Sequence, residues 1–142
     1  TTPQGQVLDL SRIPAPEDRR ALLAYLVEFE APYYAITNPR LGIGVGLRWP
    51  LEVFDKAWLW QEVHSGEDWP WFRRAYAVAI EPASTIPGQG IANARGKGSS
   101  LFLLPGRASR EVVIEAVLFE DTRPVSGIAA GGAVTFAAPA PG

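Results

Sequence analysis

Thirteen prolines and fourteen glycines are spread through 142 residues, and this punctuation constrains the fold more than any other feature. Proline removes a backbone donor and glycine weakens a helix interior, so long helices are disfavoured. What remains between the breaks is a series of short apolar segments, the pattern of an all-β chain rather than of alternating strands and helices. A chain of this length fits one domain that buries roughly 68–70 % of its unfolded surface. The expectation is therefore a mainly antiparallel β-sandwich over residues 1–142, with one short helix. That helix is placed from Glu17 to Phe29, where Pro16 suits a first turn and Leu22, Leu23, Leu26 and Phe29 recur at helical spacing.

Strands are expected around Val7–Leu10, Tyr33–Thr37, Leu41–Trp49, Ala57–His64, Ala75–Glu81, Ser100–Leu104, Glu111–Glu120 and Ala133–Ala137. Side chains alternate across a strand, so each segment divides into two faces. In Glu111–Glu120 the face of Val112, Ile114, Ala116 and Leu118 is expected to be buried. In Leu41–Trp49 the row Leu41, Ile43, Val45, Leu47 and Trp49 is expected to pack. The opposite row carries only Gly42, Gly44 and Gly46 before Arg48, and bare glycines suggest close approach to the backbone.

Two further segments repeat that contrast. Ala57, Leu59, Gln61 and Val63 share one side of their strand, while Trp58, Trp60, Glu62 and His64 share the other. In the next segment Tyr76, Val78 and Ile80 oppose a row of Ala75, Ala77 and Ala79 that ends on Glu81. Joined in one sheet, the small rows would floor a trough flanked by indoles, with Arg48, Glu62, His64 and Glu81 reaching in. Sugars suit such a surface, because their C–H faces pack on aromatic rings and their hydroxyls need planar polar partners. The segment from Glu67 to Arg74 adds Trp71 and Arg73 on an expected loop.

Several function classes are disfavoured by composition. With no cysteine, there is no disulfide, thiolate metal site or thiol nucleophile. A net charge of −2 without a basic stripe argues against nucleic acid as a partner. No apolar run approaches the roughly 18–20 residues of a membrane span, and no membrane partner is expected. A soluble, cytoplasmic protein needing no metal or other cofactor is the expectation. The chain begins Thr1-Thr2-Pro3, and it is expected to be a piece of a longer protein.

The order of motifs resembles the aldose 1-epimerase, or galactose mutarotase-like, superfamily. Trp58-Leu59-Trp60-Gln61 is followed by Trp69-Pro70-Trp71-Phe72-Arg73, then Tyr76-Ala77-Val78-Ala79-Ile80-Glu81-Pro82, then Leu104-Pro105-Gly106. Ile86-Pro87-Gly88-Gln89-Gly90 and Ala92-Asn93-Ala94 fit a connection of the same family. The likeness covers about Leu41 to Glu120, the carboxyl-terminal portion of such proteins. It implies part of a large twisted β-sandwich, a supersandwich, and interconversion of the α and β anomers of a free aldose. In that chemistry a carboxylate removes the anomeric hydroxyl proton and an acid, usually histidine, protonates the ring oxygen. By position in the motif Glu81 corresponds to the base, while Arg48, Trp58, Trp60, Glu62, His64, Trp71 and Arg73 are expected to contact sugar.

Family members are considerably longer, and their histidines come mainly from the portion preceding the part matched here. His64 is the one histidine of this chain and does not match their acid motif. Two alternatives therefore stand beside an isomerase: a carbohydrate-binding module without catalysis, and a structural half-domain that associates with a partner chain or its own copy.

Overall fold

The computed structural model describes Gly5 and residues 7–86, 90–96 and 102–138. Within them a 3-10 turn, Pro16–Asp18, is followed by β1 (Ala21–Leu26), β2 (Tyr33–Asn38), β3 (Ile43–Arg48), β4 (Lys56–Val63) and β5 (Tyr76–Ala83). A short helix, α1 (Gly90–Gly96), precedes β6 (Glu115–Phe119), β7 (Val125–Ile128) and β8 (Val134–Phe136). The strands form three sheets, ordered β1-β4-β5, β2-β3-β6 and β7-β8. The fold is all-β and mainly antiparallel, as the spacing of prolines and glycines implies. No helix among the described residues is long and apolar enough to cross a membrane.

Two compact units share these elements: Thr1–Tyr25 with Trp58–Glu81, and Leu26–Ala57 with Pro82–Gly142. In the second unit, the register pairs Gly44 with Phe119, Gly46 with Val117 and Arg48 with Glu115. Each side chain of β6 on this face stands opposite a β3 residue, and two of those are glycines. A Cβ on Gly44 would overlap the Phe119 ring and lie 2.9 Å from the Ile36 carbonyl oxygen. A Cβ on Gly46 would overlap Ile128 Cδ1 and stand 3.0 Å from Val117 Cγ2. Phe119 in turn meets Phe136 of β8 with ring centroids 5.6 Å apart. The glycine row is thus core, filled by neighbouring side chains.

This corrects both face assignments made for β3 and β6. Leu41, Ile43 and Val45 are 59 %, 47 % and 39 % exposed, and Leu118 is 87 % exposed. The inward face of β6 is Glu115, Val117 and Phe119. Alternation identified which residues share a face. Room above Gly44 and Gly46, together with the Arg48–Glu115 pair, decided which face turned inward.

Trp49, just beyond β3, is 0 % exposed. Phe29 meets it edge-on at 5.3 Å and Tyr34 lies at 6.2 Å. Its indole N–H donates to the Phe54 carbonyl at 2.9 Å, so the ring is buried without stranding its polar atom.

In the first unit the segment expected to be a helix is β1. Its burial alternates with period two: Leu22, Ala24 and Leu26 are half-buried, while Ala21, Leu23 and Tyr25 are exposed. The helical start stops at Asp18 because Arg19 is left-handed, with φ 44°, a geometry that an α-helix cannot pass through. Val63 then donates its backbone N–H to the Arg20 carbonyl at 2.8 Å, tying this segment to β4. Two expected strands are also corrected. Residues 7–10 and 102–104 carry no strand; residues 100–101 lie outside the described residues. β7 and α1 were not anticipated.

Candidate functional site on the β4–β5 hairpin

Ala57, Leu59, Gln61 and Val63 are all buried, at 0–3 % exposure. Trp58 and Trp60, on the alternate face of β4, remain half open. The connection from His64 to Ala75 folds back on this open face. Trp71 lies against Gly66, where any Cβ would crowd the indole, and stands 5.5 Å from the Trp60 ring at a 44° tilt. Trp71 is 39 % exposed. The pair therefore offers indole surface to solvent while one ring braces the other.

Glu62 shares the face of the indoles but points into the turn that follows. Its carboxylate accepts hydrogen bonds from Ser65 N at 2.8 Å, from Ser65 Oγ at 2.8 and 2.9 Å, and from Gly66 N at 2.9 Å. The Gly66 N–H, then the Ser65 hydroxyl and N–H, and last the charge of His64, hold its carboxyl below the ordinary carboxylate range, against the opposing effect of desolvation. Such a group shapes the turn and has little capacity left for a sugar hydroxyl.

The sign of its pH effect follows from that direction. A lowered folded-state pKa contributes stability above the unfolded value and loses it as pH falls through the folded value. Glu62→Gln is therefore expected to be less stable than the parent protein at neutral pH, with the gap narrowing as the pH is taken from neutral to below the ordinary carboxylate range. Thermal unfolding midpoints of both proteins across that range check this; a gap independent of pH would contradict the role.

His64 has φ 50°. Its backbone N–H donates to the Ala75 carbonyl at 2.8 Å, closing the hairpin. Its Nδ1 lies 2.8 Å from the Arg73 carbonyl oxygen, an acceptor to which that nitrogen donates. The ring stacks on Tyr76 at 5.7 Å, and the Tyr76 hydroxyl donates to the Pro14 carbonyl at 2.8 Å. Arg73 is ion-paired with Glu67. A hollow of about 330 Å³ opens here, lined by Pro16, Glu17, Arg19, His64 and Arg73.

The remaining expected residues lie elsewhere. Glu81 is exposed on β5, five residues beyond Tyr76 and hence about 17 Å along the strand. Regular pairing carried back from the His64–Ala75 bond would set it opposite Trp58, the half-buried indole of β4. Arg48 belongs to the other unit and to the β2-β3-β6 sheet. Its guanidinium donates to Glu115 at 3.1 Å, and Gly131 N donates to the same carboxylate at 2.6 Å. The single trough expected across three adjoining segments is thus not built. β3 is in a different sheet from β4 and β5, and its glycines are covered by Phe119 and Ile128.

What the structure brings together is Trp60, Trp71, Glu62, His64 and Arg73, all on one hairpin. Glu17 and Arg19 were missed. Reading their segment as a helix hid them; a 3-10 turn that ends at a left-handed Arg19 carries them instead, and both line the hollow with His64 and Arg73. No protein-family model matches the chain, and neither a curated protein nor a solved structure matches it.

Proposed function

We propose that this chain binds carbohydrate on the β4–β5 hairpin, as part of an aldose 1-epimerase-like protein that interconverts sugar anomers with Glu81 as general base. The observation that carries the reading is the half-open indole pair of Trp60 and Trp71, with Trp58 further along the same strand. Indole faces take the C–H face of a pyranose, and the exposed Glu81 carboxylate provides a proton acceptor on the partner strand. Support from the sequence comes from Glu81-Pro82 closing its motif.

In this mechanism Glu81 removes the anomeric hydroxyl proton while an acid protonates the ring oxygen. The C1–O5 bond breaks, the open-chain aldehyde turns about C1–C2, and reclosure delivers the other anomer. His64 is not that acid. At about 17 Å along the hairpin it is further from Glu81 than one sugar ring bridges, so in this reading the acid is a group other than His64.

The test is polarimetry of freshly dissolved D-glucose and D-galactose with the parent protein and Glu81→Gln. Acceleration by the parent, lowered at least about 100-fold in the variant, is the expected result, since general-base catalysis contributes ~10²–10⁴-fold. Equal acceleration in both would remove Glu81 from the mechanism. Sugar binding without acceleration in the parent would leave a non-catalytic binding module.

A further inference from the structure

β3 stops pairing with β6 just before a proline, and the register gives the reason. The pairs run from Gly44 with Phe119 to Arg48 with Glu115; continued, they would set Pro50 opposite Val113 and Glu52 opposite Glu111. Trp49 donates its N–H to the Pro32 carbonyl at 3.0 Å, so its backbone groups point toward β2 and those of Arg48 and Pro50 point toward β6. Position 50 is therefore one that would donate to Val113, and proline has no N–H. The Pro50 carbonyl is taken as well, by the N–H groups of Val53 and Phe54 at 3.2 and 3.0 Å. Further on, Glu52 would face Glu111, and like charges directly across a ladder repel. Glu52 pairs with Arg110 instead, at 3.8 Å.

Where the two segments part they leave a fork of about 440 Å³, with Leu51 and Glu52 on one arm and Glu111, Val112 and Val113 on the other. Two features of the lining point to a ligand. Among the described residues, no group hydrogen-bonds the backbone of Glu111 or Val113, and the alternation of the β6 ladder carried back from Glu115 turns the N–H and C=O of both into the gap. The second feature is charge. Arg48 is paired with Glu115 at 3.1 Å and Glu52 with Arg110, whereas the exposed Glu111 has no ion pair among the described residues. An anion would meet that carboxylate as a repulsion, and a cation would be held by it. Leu51 and Val113, the latter 64 % exposed, supply apolar wall. Glu111 to Val113 covers about 7 Å of chain, the reach of roughly three residues of a second strand.

We infer that this fork binds an extended peptide segment carrying a lysine or arginine, which adds to the edge of Glu111–Val113 in the place where β3 turns away. Its main chain exchanges hydrogen bonds with Val113 and Glu111, and its basic side chain, opposite Glu111, pairs with that carboxylate. Arg48 opposite Glu115 is the same cross-strand pairing four residues along. Strand addition of this kind takes its affinity from the main chain and its selectivity from alternate side chains. The inference is independent of the carbohydrate reading: the fork belongs to the unit of Leu26–Ala57 with Pro82–Gly142, and the hairpin from Trp58 to Glu81 belongs to the other.

Titration of the isotopically labelled protein with the capped peptide acetyl-Thr-Val-Lys-Val-Thr-amide, followed at the backbone amide signals, tests it. The Glu111 and Val113 amides are expected to move together and saturate. Exchanging the lysine of the peptide for glutamate replaces an attraction by a repulsion and is expected to weaken binding about tenfold. N-methylation of the lysine amide removes the donor to the Glu111 carbonyl, with an expected loss of about fivefold or more. Glu111→Gln is expected to bring the lysine and glutamate peptides to within about threefold of each other, and to keep the unfolding midpoint of the parent because an exposed, unpaired carboxylate is lost. Glu111 and Val113 amides that stay fixed, equal binding of the two peptides, or a preference that survives Glu111→Gln would each overturn the inference. So would n-butylamine binding as tightly as the peptide, since the fork would then hold a cation without adding a strand.

Discussion

Truncating Trp49 to alanine is expected to lower stability by about 3–5 kcal/mol, the range for removing a buried aromatic ring. The ring is fully buried, it is met edge-on by Phe29, and its N–H is satisfied by the Phe54 carbonyl. Removal would leave a cavity and strand that carbonyl at once. Trp49→Phe keeps most of the apolar contact and loses the donor, so its smaller loss measures the hydrogen bond separately. Urea unfolding of the three proteins checks the order. A Trp49→Ala loss below about 1 kcal/mol, the level of a surface change, would show that this part of the packing is wrongly described.

Gly44→Ala is expected to cost about 1–3 kcal/mol, because a single added methyl group overpacks a filled site. The new Cβ would overlap the Phe119 ring, itself held against Phe136, and would crowd the Ile36 carbonyl oxygen at 2.9 Å. Phe119→Leu in the same chain should relieve part of this, giving a favourable coupling between the two substitutions of about 0.5–3 kcal/mol. An open glycine row waiting for a ligand predicts the opposite: unchanged stability and weakened binding. Denaturant midpoints of the single and double variants separate the two.

That contrast also explains how far the sequence could be read. Alternating glycines announce that one face of β3 must be approached closely, and that part was legible. What approaches is decided by register, and nothing local in Gly42 to Arg48 says that Phe119 will stand opposite Gly44. The same limit inverted Glu111–Glu120: Val112, Ile114, Ala116 and Leu118 look like a core row until Glu115 is drawn inward by Arg48. In Ala21–Leu26 a single run satisfied two periods, and pairing at Val63 with a left-handed Arg19 chose the strand.

The β4 assignment succeeded because both its faces are chemically marked, with Ala57, Leu59, Gln61 and Val63 opposed to two indoles. Gln61 departs from a purely apolar core: it is 1 % exposed, and its Oε1 lacks a hydrogen-bond partner among the described residues. The candidate site was legible where it is local, within the hairpin from Trp58 to Glu81. It was not legible where it depends on a segment forty residues earlier in the chain, as the hollow does through Glu17 and Arg19.

The proposed carbohydrate binding by the hairpin can be tested at the tryptophans themselves, whose five indole N–H groups give separate signals in a nitrogen-resolved proton spectrum once assigned by single substitutions. On titration with glucose or maltotriose, the Trp60 and Trp71 signals are predicted to move together and saturate, while the buried Trp49 signal stays fixed. Saturating sugar that leaves Trp60 and Trp71 unmoved would contradict the account.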